Sequence, residues 1–189
     1  EMNTRILTIT SWLINQSKEV QYPPILSDQM KSFEGFYLDV YSGRQLAWQS
    51  NLGHADIRMN GFVKAYELSV STFQVIILLL FNEHESLSFQ EIEEYSAIPL
   101  NDLKRCLLSL STSRTSHNAI LNHSSQIPSK NITDMTFTAN NQFKSKKLKM
   151  KLSPLVLKQN NKNAQIILEK VNETRKWQVD ATIVRVMKS

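Results

Sequence analysis

Cysteine, glycine and long apolar runs are all scarce in this sequence of 189 residues. A single cysteine excludes an intramolecular disulfide framework. The four glycines fit neither G-x-G-x-x-G nor G-x-x-x-x-G-K-[ST], which argues against a phosphate-binding loop and so against nucleotide chemistry. The longest apolar run, residues 75–81, is far shorter than the roughly 20 residues that span a bilayer. We therefore expect no membrane segment.

Side chains able to hold a metal or to act as a nucleophile are few and dispersed. None of the histidines has a second ligand at a metal-binding spacing; they are His54, His84, His117 and His123. Cys106 shares a predicted helix face with leucines, which is typical of a core residue. The neighbouring Glu91, Glu93 and Glu94 fall in the first turns of a predicted helix, where the helix dipole favours negative charge. We expect no metal, no cofactor and no catalytic residue.

The charged residues are segregated along the chain. The net charge is +5, from 22 basic and 17 acidic residues. Glutamates gather within residues 83–94 and lysines within residues 144–151. This pattern fits either separate faces for separate partners or two solvated surfaces. Because the first residues lack the order of a secretory signal, we expect a cytoplasmic and nuclear protein.

The first part of the chain predicts a helix followed by a small sheet. Residues 1–34 are interpreted as the remnant of a preceding helical bundle, and the initial Glu1 indicates an excised fragment. Apolar residues at helical spacing run from Ser27 and stop near residues 42–43. Residues 35–69 are predicted to form an α/β sheet region. Its predicted strands are residues 44–49, 56–60 and 65–70, and we expect them to pair in an antiparallel sheet.

Residues 70–143 predict a winged-helix module. Ser71 with Gln74, and Ser88 with Glu91, have the spacing of capping boxes, each at the start of a helix. A third helix buries one face, formed by Leu100, Leu103, Leu107 and Leu110. Two extended segments, 119–122 and 135–138, and a Ser/Asn/His-rich loop, 111–131, complete the predicted module.

The remainder predicts a strand and a long helix. Within residues 144–160, lysines alternate with apolar residues, as on a strand that returns to the sheet with one exposed face. Residues 161–189 are predicted to form a long helix. At 100° per residue, Val179, Ile183 and Val186 share one stripe, while Lys188 lies opposite and points to solvent. The predicted fold class is α+β, with a small sheet region, a winged-helix module and a long C-terminal helix.

Blocks of sequence in this order resemble the C-terminal region of the cullin family. Residues 36–55 contain FYL, SGRQLAWQ and LGHA, similar to the cullin pattern "FYL…SGRKL.WQ..LG.A". Residues 67–82 contain EL, VSTFQ and LLLFN, similar to "EL.VSTFQ…LLLFN". Residues 179–188, VDATIVRVMK, are similar to "IDAAIVRIMK". These blocks span nearly the whole chain.

The resemblance implies a noncatalytic scaffold of a multisubunit ubiquitin ligase. In that family this region holds a RING-box protein, which recruits a ubiquitin-conjugating enzyme and adds its N-terminal strand to the cullin sheet. Carried over, the sheet would include residues 44–49 and 56–60, with Trp48 as a packing anchor. The implied RING-box contacts are Arg44, Leu46, Trp48, Ile57 and Met59.

The resemblance also implies a modification site. The lysine that closes the family motif accepts a ubiquitin-like modifier (neddylation), and that position here is Lys188. Arg185 and Met187 would form its surroundings. Further implied partners are the neddylation machinery and the rest of a cullin chain with its substrate adaptors. The family's basic "GKARVL" region is replaced by residues 111–121, so the predicted wing departs from the pattern.

A second interpretation is a winged-helix module that binds nucleic acid. Its recognition helix would present Asn101, Lys104 and Arg105 to a groove, together with the unfavourable Asp102. The preceding helix is strongly acidic and would face the same phosphates. The sequence therefore favours a protein partner over nucleic acid.

Overall fold

The computed structural model describes residues 2–8, 19–60, 64–112, 119–124, 132–152, 175–177 and 179–187. The chain divides into two compact units. One comprises Glu1–Met2 and Gln16–Leu155, and the other Asn3–Asn15 and Val156–Ser189. Within the described residues, no helix is long and apolar enough to span a bilayer.

Within the described residues, the first unit contains all of the strands and four α-helices. In chain order they are α1 (Pro24–Val40), β1 (His54–Met59), β2 (Tyr66–Ser71), α2 (Thr72–Glu83), β3 (Ser86–Ser88), α3 (Phe89–Ser96), α4 (Leu100–Ser111), β4 (Leu121–His123), a 3-10 turn (Ile132–Asp134), β5 (Thr136–Ala139) and β6 (Lys149–Lys151). This mixture of helices and small sheets confirms the predicted α+β class.

Helix α1 begins three residues before the predicted start at Ser27. Pro24 occupies its first turn, where a missing backbone N–H leaves no helical hydrogen bond unmade. At the other end, the Tyr41 N–H donates to the Tyr37 carbonyl, and Gly43 follows with φ +77°. The left-handed conformation at Gly43 ends the helix near the predicted position.

The first sheet has the strand order β1-β2-β6. Strands β1 and β2 are antiparallel, with Ile57 opposite Leu68, as predicted. Strand β6 pairs with β2 in parallel, with Met150 opposite Leu68, so the sheet is mixed and the antiparallel prediction was incomplete. The chain between β2 and β6 is long enough for the crossover that parallel pairing requires.

The prediction of a strand at residues 44–49 was wrong. These residues belong to no described strand, although they also contain no turn or bend. Leu46 and Trp48 are half-buried, as the alternation predicted, but Trp48 packs on helix α1. Alternating burial therefore reflects contact with a helix here, without backbone pairing in a sheet.

The three predicted helices of the following module are confirmed as α2, α3 and α4. The second sheet, of order β3-β5-β4, is antiparallel throughout. Its strands β4 and β5 lie within two residues of the predicted segments, whereas β3 was missed because three residues are too few to show alternation. Much of the predicted 111–131 loop, residues 113–118 and 125–131, lies outside the described residues.

The core of this unit lies between the two sheets and helices α2 to α4. Its fully buried side chains include Leu68, Ile77, Phe89, Leu103 and Phe137. Cys106 is in the same cluster, as predicted, and its burial raises the thiol pKa to about 12. The prediction that Leu100 joins the buried face was wrong: it is 42% exposed, because it lies at the first residue of α4, where the helix has not yet reached the core.

Both predicted capping boxes are present. The Ser71 N–H donates to Gln74 Oε1 at 2.9 Å, and the Ser88 N–H donates to Glu91 Oε2 at 2.7 Å. In return, each serine hydroxyl accepts a backbone N–H of its helix. The buried Gln74 amide also donates to Ser109 Oγ at 2.7 Å, which ties α2 to α4.

The Glu91 capping box predicts a pH-dependent contribution to stability. The Ser88 backbone N–H, and then its hydroxyl, lower the pKa of Glu91 from 4.5. A lowered folded-state pKa stabilises the fold fully above the unfolded-state value and loses that effect as the pH falls through the folded-state value. Glu91→Ala should therefore lower the urea midpoint at pH 7 and lower it much less near pH 3. The control is Glu94→Ala, which changes a glutamate of the same helix that takes no part in the capping box. If Glu91→Ala lowered the urea midpoint equally at both pH values, the prediction would be contradicted.

In the second unit, residues 175–177 and 179–187 are helical. The predicted stripe of Val179, Ile183 and Val186 is exposed by 57%, 51% and 69%. Lys188 and residues 161–174 lie outside the described residues.

Candidate functional site

Strand β1 is an edge of the first sheet. It pairs with β2 along one side, and no other described strand borders it. Ala55, Ile57 and Met59 turn toward the core, while the alternate residues His54, Asp56 and Arg58 are exposed. An edge strand presents unpaired N–H and C=O groups to any strand that approaches it. This edge can therefore accept one more strand.

Residues 44–49 lead into β1 through a connection that is fixed at both ends. The hydroxyls of Tyr22 and the buried Ser50 are hydrogen-bonded to each other. The Gly53 carbonyl accepts the Thr72 N–H at 3.1 Å. A β-carbon at Gly53 would overlap Thr72 Oγ1, so this close approach requires glycine. These contacts fix the connection between the 44–49 segment and β1 at Ser50 and at Gly53.

Trp48 attaches the segment to helix α1. Its indole Nε1–H donates to the Glu34 carboxylate. Its ring also meets Phe33 edge to face, with centroids 5.8 Å apart. Both α1 residues are half-buried, and neither belongs to the main core. The contact is therefore a separate anchor on one side of α1.

Arg44 forms a second anchor at the start of the segment. Its guanidinium lies 4.7 Å from the centroid of the Tyr41 ring, a cation–π geometry. An Nη1–H also donates to the Tyr37 hydroxyl at 3.5 Å. Tyr37 in turn packs against Phe33 and Tyr41, with centroids 6.2 Å and 4.9 Å apart. We call Phe33, Tyr37, Tyr41 and Trp48 the aromatic cluster.

The five residues predicted to contact a partner fall into two groups. Arg44, Leu46 and Trp48 lie on the segment beside α1, whereas Ile57 and Met59 pack against the main core from β1. The sequence reasoning missed Glu34 and Tyr41. The four-residue spacing of Phe33, Tyr37 and Tyr41 was the available signal, because residues so spaced share one helix face.

The predicted lysine row is exposed on strand β6, at the opposite edge of the same sheet. Lys149 Nζ lies 2.7 Å from Glu67 Oε2 on β2. The hydrogen bond to Glu67, with its charge, raises the pKa of Lys149. Both side chains are solvent-exposed, so this ion pair is worth little to stability.

The predicted recognition helix offers a less favourable site for nucleic acid. Arg105 Nη1 lies 3.3 Å from Asp102 Oδ1, so its charge is already paired within α4. Only Asn101 of the three candidate contacts is exposed; Lys104 and Arg105 are half-buried.

Within the described residues, no three side chains that could bind a metal ion come together.

Two of the three residues predicted at the modification site are described. Arg185 and Met187 are both exposed on the helix of the second unit, and Met187 is 82% exposed. Lys188 follows directly and lies outside the described residues.

Comparison with known proteins gives consistent matches. A sequence family described as "Cullin alpha+beta domain" matches residues 6–143. Cullin-3A of Arabidopsis thaliana is 39% identical over 188 residues, covering 98% of this chain and 25% of that protein. Cullin-3 of Dictyostelium discoideum is 33% identical over 224 residues (100% and 28%), and Cullin-4A of Mus musculus is 34% identical over 189 residues (100% and 24%). The chain spans about a quarter of the length of these relatives.

Proposed function

The chain belongs to the cullin family, and on that premise we propose that it is a noncatalytic scaffold segment of a ubiquitin ligase. It binds a RING-box protein through the open β1 edge and the neighbouring 44–49 segment. The RING then recruits a ubiquitin-conjugating enzyme. The rest of a cullin chain, with its substrate adaptors, brings the substrate within reach, in the cytoplasm and the nucleus.

The observation that carries this proposal is the incomplete sheet. Strand β1 has one edge that no described strand covers, and the 44–49 segment that precedes it in the chain is extended without belonging to a described strand. An extended strand from another chain would pair with such an edge through backbone hydrogen bonds. The half-buried Trp48 and Leu46 supply apolar contacts next to it.

The scaffold role also fits the chemistry of the lone thiol. A ubiquitin thioester forms on a thiolate, and burial raises the Cys106 pKa to about 12, so this group stays protonated inside the core. Transfer of ubiquitin would then occur on the recruited enzyme. The scaffold contributes proximity, which replaces an encounter in solution by a reaction within one complex.

Modification of Lys188 by a ubiquitin-like modifier is the regulatory part of the proposal. In the sequence, this lysine directly follows the exposed Met187 and lies three residues after the exposed Arg185. Attachment of a second domain there would shift the population of geometries that the recruited enzyme samples.

Co-expression with a RING-box protein, followed by gel filtration, tests the proposal. We expect the two chains to elute as one stable complex. Trp48→Ala should weaken that complex about 10- to 30-fold, because truncating an aromatic anchor at an interface typically costs about 2 kcal/mol. Trp177→Ala, which removes a 74% exposed tryptophan, should leave the affinity unchanged.

The nucleic-acid interpretation predicts a different outcome. It requires tight binding to random duplex DNA that falls steeply between two salt concentrations, because basic residues release counterions from phosphates. Such binding, with no complex formed with the RING-box protein, would overturn the scaffold proposal.

A further inference from the structure

We propose that Glu34 is a positioning residue: from helix α1 it holds residues 44–49 in the straight conformation to which the partner's strand binds. This inference rests on the proposed function, since it names how the same edge is prepared for its partner. It adds a residue that makes no predicted contact with that partner.

Backbone pairing does not explain the extended conformation of the 44–49 segment. Residues 44–49 run without a helix, turn or bend, yet they lie in no described strand. Among the described residues, residues 45–47 form no backbone hydrogen bond that would keep them straight. A stretch whose central residues lack such bonds has many conformations available, so something other than sheet pairing must restrict it.

Two side-chain contacts anchor the 44–49 segment. Glu34 accepts the Trp48 indole N–H near the end of the segment, and Tyr41 with Tyr37 receives Arg44 at its start. Helix α1 thus holds both ends through side chains. The main chain of residues 45–47 is left available for a partner.

Glu34 lies outside the main hydrophobic core. Neither Glu34 nor Trp48 is part of the main hydrophobic cluster, and α1 reaches that cluster through other residues, such as Leu26. Loss of the Glu34 carboxylate should therefore loosen the segment without unfolding the unit. The partner would then meet a segment that is only partly in the competent conformation, and its apparent affinity would fall by that fraction.

Binding kinetics to an immobilised RING-box protein test this inference. For Glu34→Leu we expect the association rate and the affinity to fall about five- to tenfold, the effect of losing one hydrogen bond of ordinary strength. Glu34→Gln should stay within about twofold of the wild type, because its amide oxygen can still accept the indole N–H. Asp28→Leu, an exposed carboxylate on the same helix, should bind like the wild type.

A stability measurement distinguishes positioning from folding. The thermal midpoint of the unbound Glu34→Leu chain should fall by only about 2–4 °C, because the change removes one hydrogen bond outside the main core. A wild-type association rate in Glu34→Leu, or a Glu34→Gln variant as impaired as Glu34→Leu, would overturn the inference while leaving the proposed function in place. Failure of the wild type itself to bind would overturn the proposed function, and this inference with it.

Discussion

Replacing Lys188 by arginine is expected to abolish conjugation of the ubiquitin-like modifier and to leave the RING-box complex intact. An isopeptide bond forms when a neutral amine attacks the thioester carbonyl and the enzyme's thiolate leaves. A lysine can lose its proton to supply that amine, whereas a guanidinium stays protonated because its pKa lies far above that of a lysine ammonium. Arginine preserves the positive charge, so the variant tests the nucleophile specifically.

The readout for this variant is the gel shift of the chain in a reconstituted conjugation reaction. Lys176→Arg is the matched control, because Lys176 is an exposed lysine only twelve residues earlier in the chain. We expect wild-type modification of the control and none of Lys188→Arg. Modification of Lys188→Arg at the wild-type level would refute the assignment of the site.

Phe137→Ala is expected to lower the free energy of unfolding by about 3–5 kcal/mol. Phe137 is fully buried on β5, the central strand of the second sheet. Its removal takes apolar contacts from the main core and leaves a cavity that neighbouring strands can only partly close. A loss of this size is a large fraction of the total stability of a typical domain, about 5–15 kcal/mol.

Phe36→Ala is the control for this experiment. Phe36 is 64% exposed on α1, so its removal should change the free energy of unfolding by no more than about 0.5 kcal/mol. Urea titrations of the two variants and the wild type give the comparison. Similar losses in both variants would show that the core has been placed wrongly.

Local signals in the sequence were sufficient for the helical module. The Ser71 and Ser88 capping boxes depend on residues three apart, and both form as predicted. The buried face of α4 likewise follows from spacing within one helix. Such features are decided by near neighbours along the chain, so a single sequence contains them.

Pairing between distant segments was less predictable. The alternation at residues 44–49 records which side chains are half-buried, and it contains no information on whether a strand or a helix covers them. The parallel pairing of β6 with β2 depends on the path of the intervening chain. Strand β3 exists because β5 lies beside it, and its three residues carry no periodic signal of their own.

The candidate site likewise combines residues that the sequence indicated with a residue that it did not. The motif resemblance indicated Arg44 and Trp48, and the structure places both in anchoring contacts with α1. Glu34 was missed because its partner is 14 residues away and the contact joins two different elements. The role of Lys188 follows from the motif alone and stays a prediction.

Amide hydrogen exchange on the chain, free and bound to a RING-box protein, tests the central claim most directly. If a foreign strand completes the sheet, the amides of residues 44–49 and of strand β1 should exchange markedly more slowly in the complex, because pairing removes them from water. Amides of the buried helix α4 should be unchanged and serve as the internal reference. A stable complex in which the β1 edge and residues 44–49 exchange as fast as in the free chain would contradict the account.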